Sequence, residues 1–128
     1  MKLKLVSFEL AKKLKEIGFL EIDEGRFYSV NGNLQAGKIG IMDFLIKKGK
    51  FGGVIAPTLE FAKMWFRGKH NLDIMSMPFM LGASKFYSFL VFDHPELDFG
   101  SQDYNSYEEA LEAGLLKACD FIKNKKDE

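Results

Sequence analysis

Residues 72–92, LDIMSMPFMLGASKFYSFLVF, decide the sheet of this protein. Two apolar and aromatic runs, Leu72–Met80 and Lys85–Phe92, flank a short segment that contains Gly82, which predicts two strands joined by a loop. Alternate side chains of a strand point to opposite faces, and both faces of the second run carry large apolar groups. We therefore expect the second strand to be central and covered on both sides.

Helix signals lie on both sides of this pair of strands. Ser7 is placed to cap a helix that ends at Gly18, where a left-handed residue is favoured. Thr58, after a proline, is placed to cap a second helix that runs to about Lys69. These two signals predict an N-terminal and a middle helix.

A third helix is predicted near the C-terminus. Ser106 and Glu109 form a capping box, and an apolar stripe follows them as far as Ile122. Gly114 lies at the edge of that stripe and costs about 1 kcal/mol of helix propensity relative to alanine. Its presence predicts a close approach of this helix to the sheet.

The remaining segments favour strands and loops. Arg26–Val30 runs into the turn signal Asn31-Gly32, and Leu34 begins a return strand. The stretch from Ile39 to Ile46 is apolar at almost every position, so its period does not separate helix from strand, and we favour strand. Further predictions are a short strand over residues 51–55 and a polar loop over residues 93–105.

Together these signals predict an α+β fold. The 128 residues fit one domain, residues 1–128, and 47% of them are apolar, which suffices for a core. We expect three helices, N-terminal, middle and C-terminal, packed on a largely antiparallel sheet of four or five strands.

Charge and cysteine content restrict the setting. Eighteen basic and eighteen acidic side chains cancel, so no long-range field draws the chain to nucleic acid or anionic lipid. Cys119 is the single cysteine, so no intramolecular disulfide forms, which favours a reducing compartment. No apolar stretch approaches the length of a signal or a membrane span. We predict a cytoplasmic protein without a membrane partner.

The middle helix supplies the candidate protein interface. Its apolar residues spread over more than half of the helical circumference, which is typical of a helix that is either central in a fold or part of an interface. Aromatic residues next to an arginine are common interface anchors. The candidates on this helix, with one apolar residue from the last helix, are Phe61, Met64, Trp65, Arg67 and Leu116. The alternative is that the same residues are core.

A nucleic-acid surface is the second hypothesis. Lys12 and Lys13 of the first helix and Arg26 and Tyr28 of the hairpin combine positive charge with an aromatic ring. Acidic residues Glu9 and Glu16 interrupt the lysines, so the alternative is a solvated helix face.

Other motifs do not build a catalytic site. Gly32–Lys38 matches the phosphate-loop pattern GxxxxGK, but Ile39 stands where a magnesium-binding hydroxyl is needed, so a hairpin is favoured. His70 and His94 lack a second histidine or cysteine at ligand spacing, although the segment from Asp93 to Glu96 has metal-binding side chains. Cys119 lies near acidic residues late in a helix, a poor setting for a thiolate. We predict no catalytic residue, no metal and no cofactor.

Three blocks of the chain resemble small phage- and prophage-encoded proteins of unknown function. The blocks are residues 7–19 with the hairpin 27–32, residues 55–59 leading to Trp65-Phe66-Arg67 and Lys69-His70-Asn71, and residues 107–115. The segment from Gly37 to Gly53 departs from the pattern because it is longer and richer in glycine. The resemblance implies a mobile-element origin and an intracellular setting, and it brings no activity or functional residue.

Three functional hypotheses follow in order. The first is a non-enzymatic phage or prophage accessory protein that binds another protein or a second copy of itself. The second is the nucleic-acid-binding module. The third is an enzyme with a carboxylate pair that no spacing identifies.

Overall fold

The computed structural model describes residues 3–92, 94 and 104–126. In chain order the elements are α1 (Phe8–Glu16), β1 (Arg26–Tyr28), β2 (Leu34–Ala36), α2 (Ile39–Lys47), β3 (Val54–Ile55), α3 (Leu59–His70), β4 (Asp73–Leu81), β5 (Ser84–Phe92) and α4 (Tyr107–Lys126). The chain divides into two compact units, Met1–Phe61 and Ala62–Glu128, which are described separately. The single domain expected from the chain length stays a prediction.

The first unit is built around a small antiparallel sheet with the strand order β2-β1-β3. Gly32, with a φ of 85°, closes the turn between β1 and β2, as the Asn31-Gly32 signal predicts. Helix α1 packs near β3 and buries Leu10 and Leu14. The Tyr28 hydroxyl donates a 2.7 Å hydrogen bond to the Val6 carbonyl, so this aromatic residue ties the sheet to the N-terminal segment.

The second unit contains the larger part of α3, the β4–β5 hairpin and α4. The two strands pair antiparallel over their full nine residues, from Asp73 opposite Phe92 to Leu81 opposite Ser84. Helix α4 packs against both strands. The core of this unit includes Phe66, Ile74, Phe89, Leu111 and Leu115, all buried.

The α+β class is confirmed, and its details differ from the expectation. The described residues form four helices instead of three, and two separate antiparallel sheets of three and two strands instead of one sheet. The additional helix is α2, so the strand predicted over Ile39–Ile46 is wrong. Most of the loop predicted over residues 93–105 lies outside the described residues.

Helix α2 forms without the usual N-terminal signal. Its N-cap is Lys38, whose side chain makes no capping hydrogen bond. Only Met42 is buried, and Asp43 pairs with Lys47 one turn later at 2.9 Å. This pair at i and i+4 was a sequence signal for a helix in a segment that is apolar at almost all of its other positions.

The three predicted helix starts are confirmed by their caps. Ser7 Oγ accepts from the Leu10 N–H, and Thr58 Oγ1 accepts from the Phe61 N–H at 3.1 Å. Ser106 Oγ accepts from the Glu109 N–H at 3.1 Å. In each case a side-chain oxygen satisfies an N–H that has no partner within the helix. No helix among the described residues is long and apolar enough to cross a bilayer.

Candidate functional site

The β4–β5 hairpin is set by its turn and its register. Gly82, with a φ of 64°, and Ala83 connect Leu81 to Ser84, and only Gly82 of the two has a positive φ. A glycine at the first of two turn positions matches the type II′ turn, whose twist suits paired strands. Because side chains alternate, this register gives the hairpin two distinct faces.

Helix α4 covers one face of the hairpin. At Gly114 the backbone of α4 comes so near that a Cβ would lie 2.8 Å from Ile74 Cγ2 and 3.0 Å from Phe89 Cβ. Ile74, Phe89 and Val91 are buried on this side. The close approach predicted from Gly114 is confirmed.

The opposite face remains apolar and exposed. We call it the hairpin face, and its apolar members are Met75, Met77, Phe79, Leu81, Phe86, Leu90 and Phe92; Asp73, Ser84 and Ser88 lie on the same side of the two strands. The exposed fraction is 39% for Met75, 45% for Met77, 67% for Leu81 and 55% for Phe92. The remaining three side chains are half-buried, and the rings of Phe79 and Phe86 lie 5.8 Å apart. The prediction that β5 is central and covered on both faces is therefore wrong.

The outer edge of β4 is interrupted by a proline. Tyr87 exchanges both of its backbone hydrogen bonds with Tyr104, each at 2.9 Å, so its N–H and C=O point away from β4. Pro78, which faces Tyr87, consequently has its nitrogen on the edge of β4 that points away from β5. Since proline has no N–H to donate, this position hinders the addition of a further strand.

The structure places the predicted interface residues in different surroundings. Trp65 is only 9% exposed, and its ring contacts Phe66 and His70, with centroids 5.1 and 4.9 Å away. This placement agrees with the alternative that Trp65 is a core residue. Phe61 is half-buried and meets the Phe19 ring edge-on at 6.2 Å.

The other three interface candidates are more accessible. Met64 is 68% exposed. Arg67 is also exposed, and its Nε lies 3.2 Å from Asp73 Oδ1. Leu116 is half-buried in α4. Whether any of the three binds a partner stays a prediction.

The nucleic-acid candidates meet partly, around the ring of Phe8. The Lys12 ammonium lies 4.6 Å from the centre of this ring, and the Tyr28 ring lies 5.5 Å from it. Arg26 is exposed on β1, and Lys13 is half-buried on α1. The Tyr28 hydroxyl donates to the Val6 carbonyl. The base-stacking role suggested for this residue stays a prediction.

The residues that the sequence marks as candidates for phosphate, thiol or metal chemistry are part of the packed fold. Leu34–Ala36 of the GxxxxGK segment pair with β1, so the favoured hairpin is confirmed. Cys119 is buried in α4. His94 is half-buried with its ring 5.6 Å from that of Phe121, whereas Asp93, Pro95 and Glu96 lie outside the described residues. The described part of the chain brings no three histidine, cysteine, aspartate or glutamate side chains together as metal ligands.

Comparison with known proteins gave no match: no family model, no curated protein and no solved structure is detectably similar to this chain. The phage or prophage origin therefore stays a prediction. The hairpin face was missed because both faces of β4 and β5 are apolar in sequence, and apolar residues alone do not tell which face is covered. One signal was available, since positions 75, 77, 79 and 81 are Met, Met, Phe and Leu in alternation.

Proposed function

We propose that this chain is a non-enzymatic accessory protein that binds another protein through the hairpin face. The observation that carries the proposal is the exposure of Met75, Met77, Leu81 and Phe92 on one side of a two-stranded sheet. Contiguous exposed apolar side chains of this kind are typical of interaction sites, whereas single exposed apolar residues are ordinary.

The partner that fits this face best is an amphipathic helix. A nine-residue strand spans about 30 Å, and so does a helix of 20 residues such as α4, which covers the opposite face. A partner helix of similar length would complete a helix–sheet–helix sandwich. Pro78, on the edge of β4 that points away from β5, disfavours the rival mode, in which a partner adds a strand to β4.

The composition of the face supports an adaptable contact. Two of its four most exposed side chains are methionines, whose flexible thioethers adjust to differently shaped partners. Each such side chain contributes about 1 kcal/mol when its exposed half becomes buried. Burial of several of them together would supply the hydrophobic part of the binding free energy.

The biological setting that we propose is a phage or prophage, and it rests on the resemblance of the three sequence blocks. Such a setting supplies two sources of partner, a protein of the host and a protein of the element itself. The remaining candidate partner is a second copy of the chain. In such a dimer the hairpin faces of the two copies would cover each other.

The test compares capture by the wild type and by a charged variant of the hairpin face. Met77→Asp places a carboxylate in the middle of the face, and burying that charge should weaken binding by about 30-fold. We expect proteins recovered from a lysate of the source cell by the tagged wild type to be lost with Met77→Asp. Sedimentation of the purified chains reports whether the partner is a second copy.

Two matched variants make the result specific. Met80→Asp changes the same residue type in the same hairpin, but on the other face, and should retain the partner. Met64→Asp tests the α3 surface predicted from the sequence. Retention of the partner by Met77→Asp would contradict the proposal, and loss with Met64→Asp alone would assign the function to α3.

A further inference from the structure

A pocket of about 240 Å³ lies within the first unit, between the end of α1, the end of α2 and the segment that enters β3. Its wall is largely apolar and includes Phe19, Leu20, Ile46, Phe51 and Ile55. At about 30 Å³ for each group of the size of water, the pocket has room for roughly eight such groups. This volume suits a small ligand instead of a drug-sized one.

One positive charge belongs to this apolar wall. Lys15 also lines the pocket, and its ammonium donates a 3.2 Å hydrogen bond to the carbonyl of Gly53, another lining residue. An ammonium has three N–H donors, so this bond leaves donors for a ligand. The apolar stem of Lys15 can contact a ligand's chain while its head group stays in water.

The residues that line the pocket include one charged side chain, that of Lys15. Residues 44–59, which supply five of the lining residues, contain three lysines and no acidic residue. One of these lysines, Lys47, pairs with Asp43 outside this segment, and Lys48 lies 5.7 Å from the centre of the Phe44 ring. The apolar wall and the Lys15 ammonium therefore complement the two ends of an amphipathic acid.

We propose that this pocket binds a small monocarboxylate with an apolar chain, the chain inside the pocket and the carboxylate on the Lys15 ammonium. The site is independent of the hairpin face, because all of its residues belong to the first unit. A carboxylate on an ammonium forms a charge-assisted hydrogen bond, which a neutral alcohol of the same chain length cannot reproduce in strength.

The experiment is an amide NMR titration of the full chain with octanoate, octanol and octylammonium. We expect octanoate to shift the resonances of Gly49 and Gly53, with about tenfold weaker binding of octanol and no binding of octylammonium at the pocket. Lys15→Met keeps an apolar stem and removes the charge, so it should weaken octanoate about tenfold and leave octanol unchanged.

Control variants separate the pocket from general surface effects. Lys12→Met removes an exposed lysine one turn earlier on α1 and should leave octanoate binding unchanged. Ile46→Phe fills the pocket and should weaken both octanoate and octanol. Unfolding curves establish that each variant is folded. Equal binding of octanoate and octanol, an unchanged affinity in Lys15→Met, or no resonance shift at the pocket would overturn the proposal.

Discussion

Position 114 shows how one missing side chain sets the distance between a helix and a sheet. Gly114 is buried, and a Cβ there would lie 2.8 Å from Ile74 Cγ2, a distance that real Cβ atoms essentially never show, and 3.0 Å from Phe89 Cβ. Both neighbours are buried in the core of the second unit, so a shift of either side chain disturbs the packing around it. The glycine therefore lowers the helix propensity of α4 but allows the helix to pack closely on the sheet.

Substitution of this glycine should destabilise the protein. Gly114→Ala gains about 1 kcal/mol of helix propensity but costs about 1–3 kcal/mol through overpacking, so we expect a net loss. Gly68 lies in α3 with open space where its Cβ would be, so Gly68→Ala should instead stabilise by about 0.5–1 kcal/mol. Urea unfolding of the two variants checks the opposite signs, and stabilisation by Gly114→Ala would show that α4 can shift.

Thr58 connects the start of α3 to the loop after α1. Its hydroxyl and its N–H both donate to Asp23 Oδ2, at 3.0 and 3.1 Å, while the hydroxyl oxygen accepts from the Phe61 N–H. Thr58 itself is buried. One threonine thus caps the helix and holds the Asp23 carboxylate.

Removal of the Thr58 hydroxyl should lower the free energy of unfolding even when the replacement side chain has the same shape. Thr58→Val leaves the Phe61 N–H without its acceptor and Asp23 without one donor, which predicts a loss of about 1–2 kcal/mol. Thr58→Ser retains the hydroxyl and should lose clearly less. The midpoints of urea unfolding measure the difference, and equal midpoints for the two variants would mean that the capping network contributes nothing.

The helices that begin with a capping residue could be predicted from the sequence, whereas α2 could not. Helix α4 follows its capping box: Ser106 Oγ accepts from the Glu109 N–H, while the Glu109 carboxylate accepts from the Asn105 N–H at 3.3 Å. Helix α2 has no capping side chain, and its apolar residues have no period. The local sequence therefore does not distinguish helix from strand in this segment.

The β4–β5 hairpin illustrates a second limit of sequence reasoning. Its two strands follow from their composition and from Gly82, and its contact with α4 follows from Gly114. Which face stays exposed depends on where the other elements lie, so the apolar pattern wrongly suggested cover on both sides. The candidate interface on α3 shows the same limit. Trp65 is a residue type that often anchors interfaces, but its position in the fold is in the core.

At the scale of the whole molecule, the two units carry different surfaces. The first unit has the pocket beside Lys15, and the second has the hairpin face. The helix-cap and hairpin signals along the chain predicted the α+β class, and the apolar content is sufficient for a core. These signals did not predict two separate sheets, since strand pairing depends on contacts between residues far apart in sequence.

The most direct test of protein binding through the hairpin face uses the methionine methyl groups as reporters. Met75 and Met77 lie on the face, Met80 and Met64 are exposed elsewhere, and Met42 is buried. In a methyl NMR spectrum of the full chain, addition of a partner captured by the wild type should shift or broaden the signals of Met75 and Met77 and leave those of Met64, Met80 and Met42 in place. A change at Met64 with Met75 and Met77 unaffected would contradict the proposed binding surface.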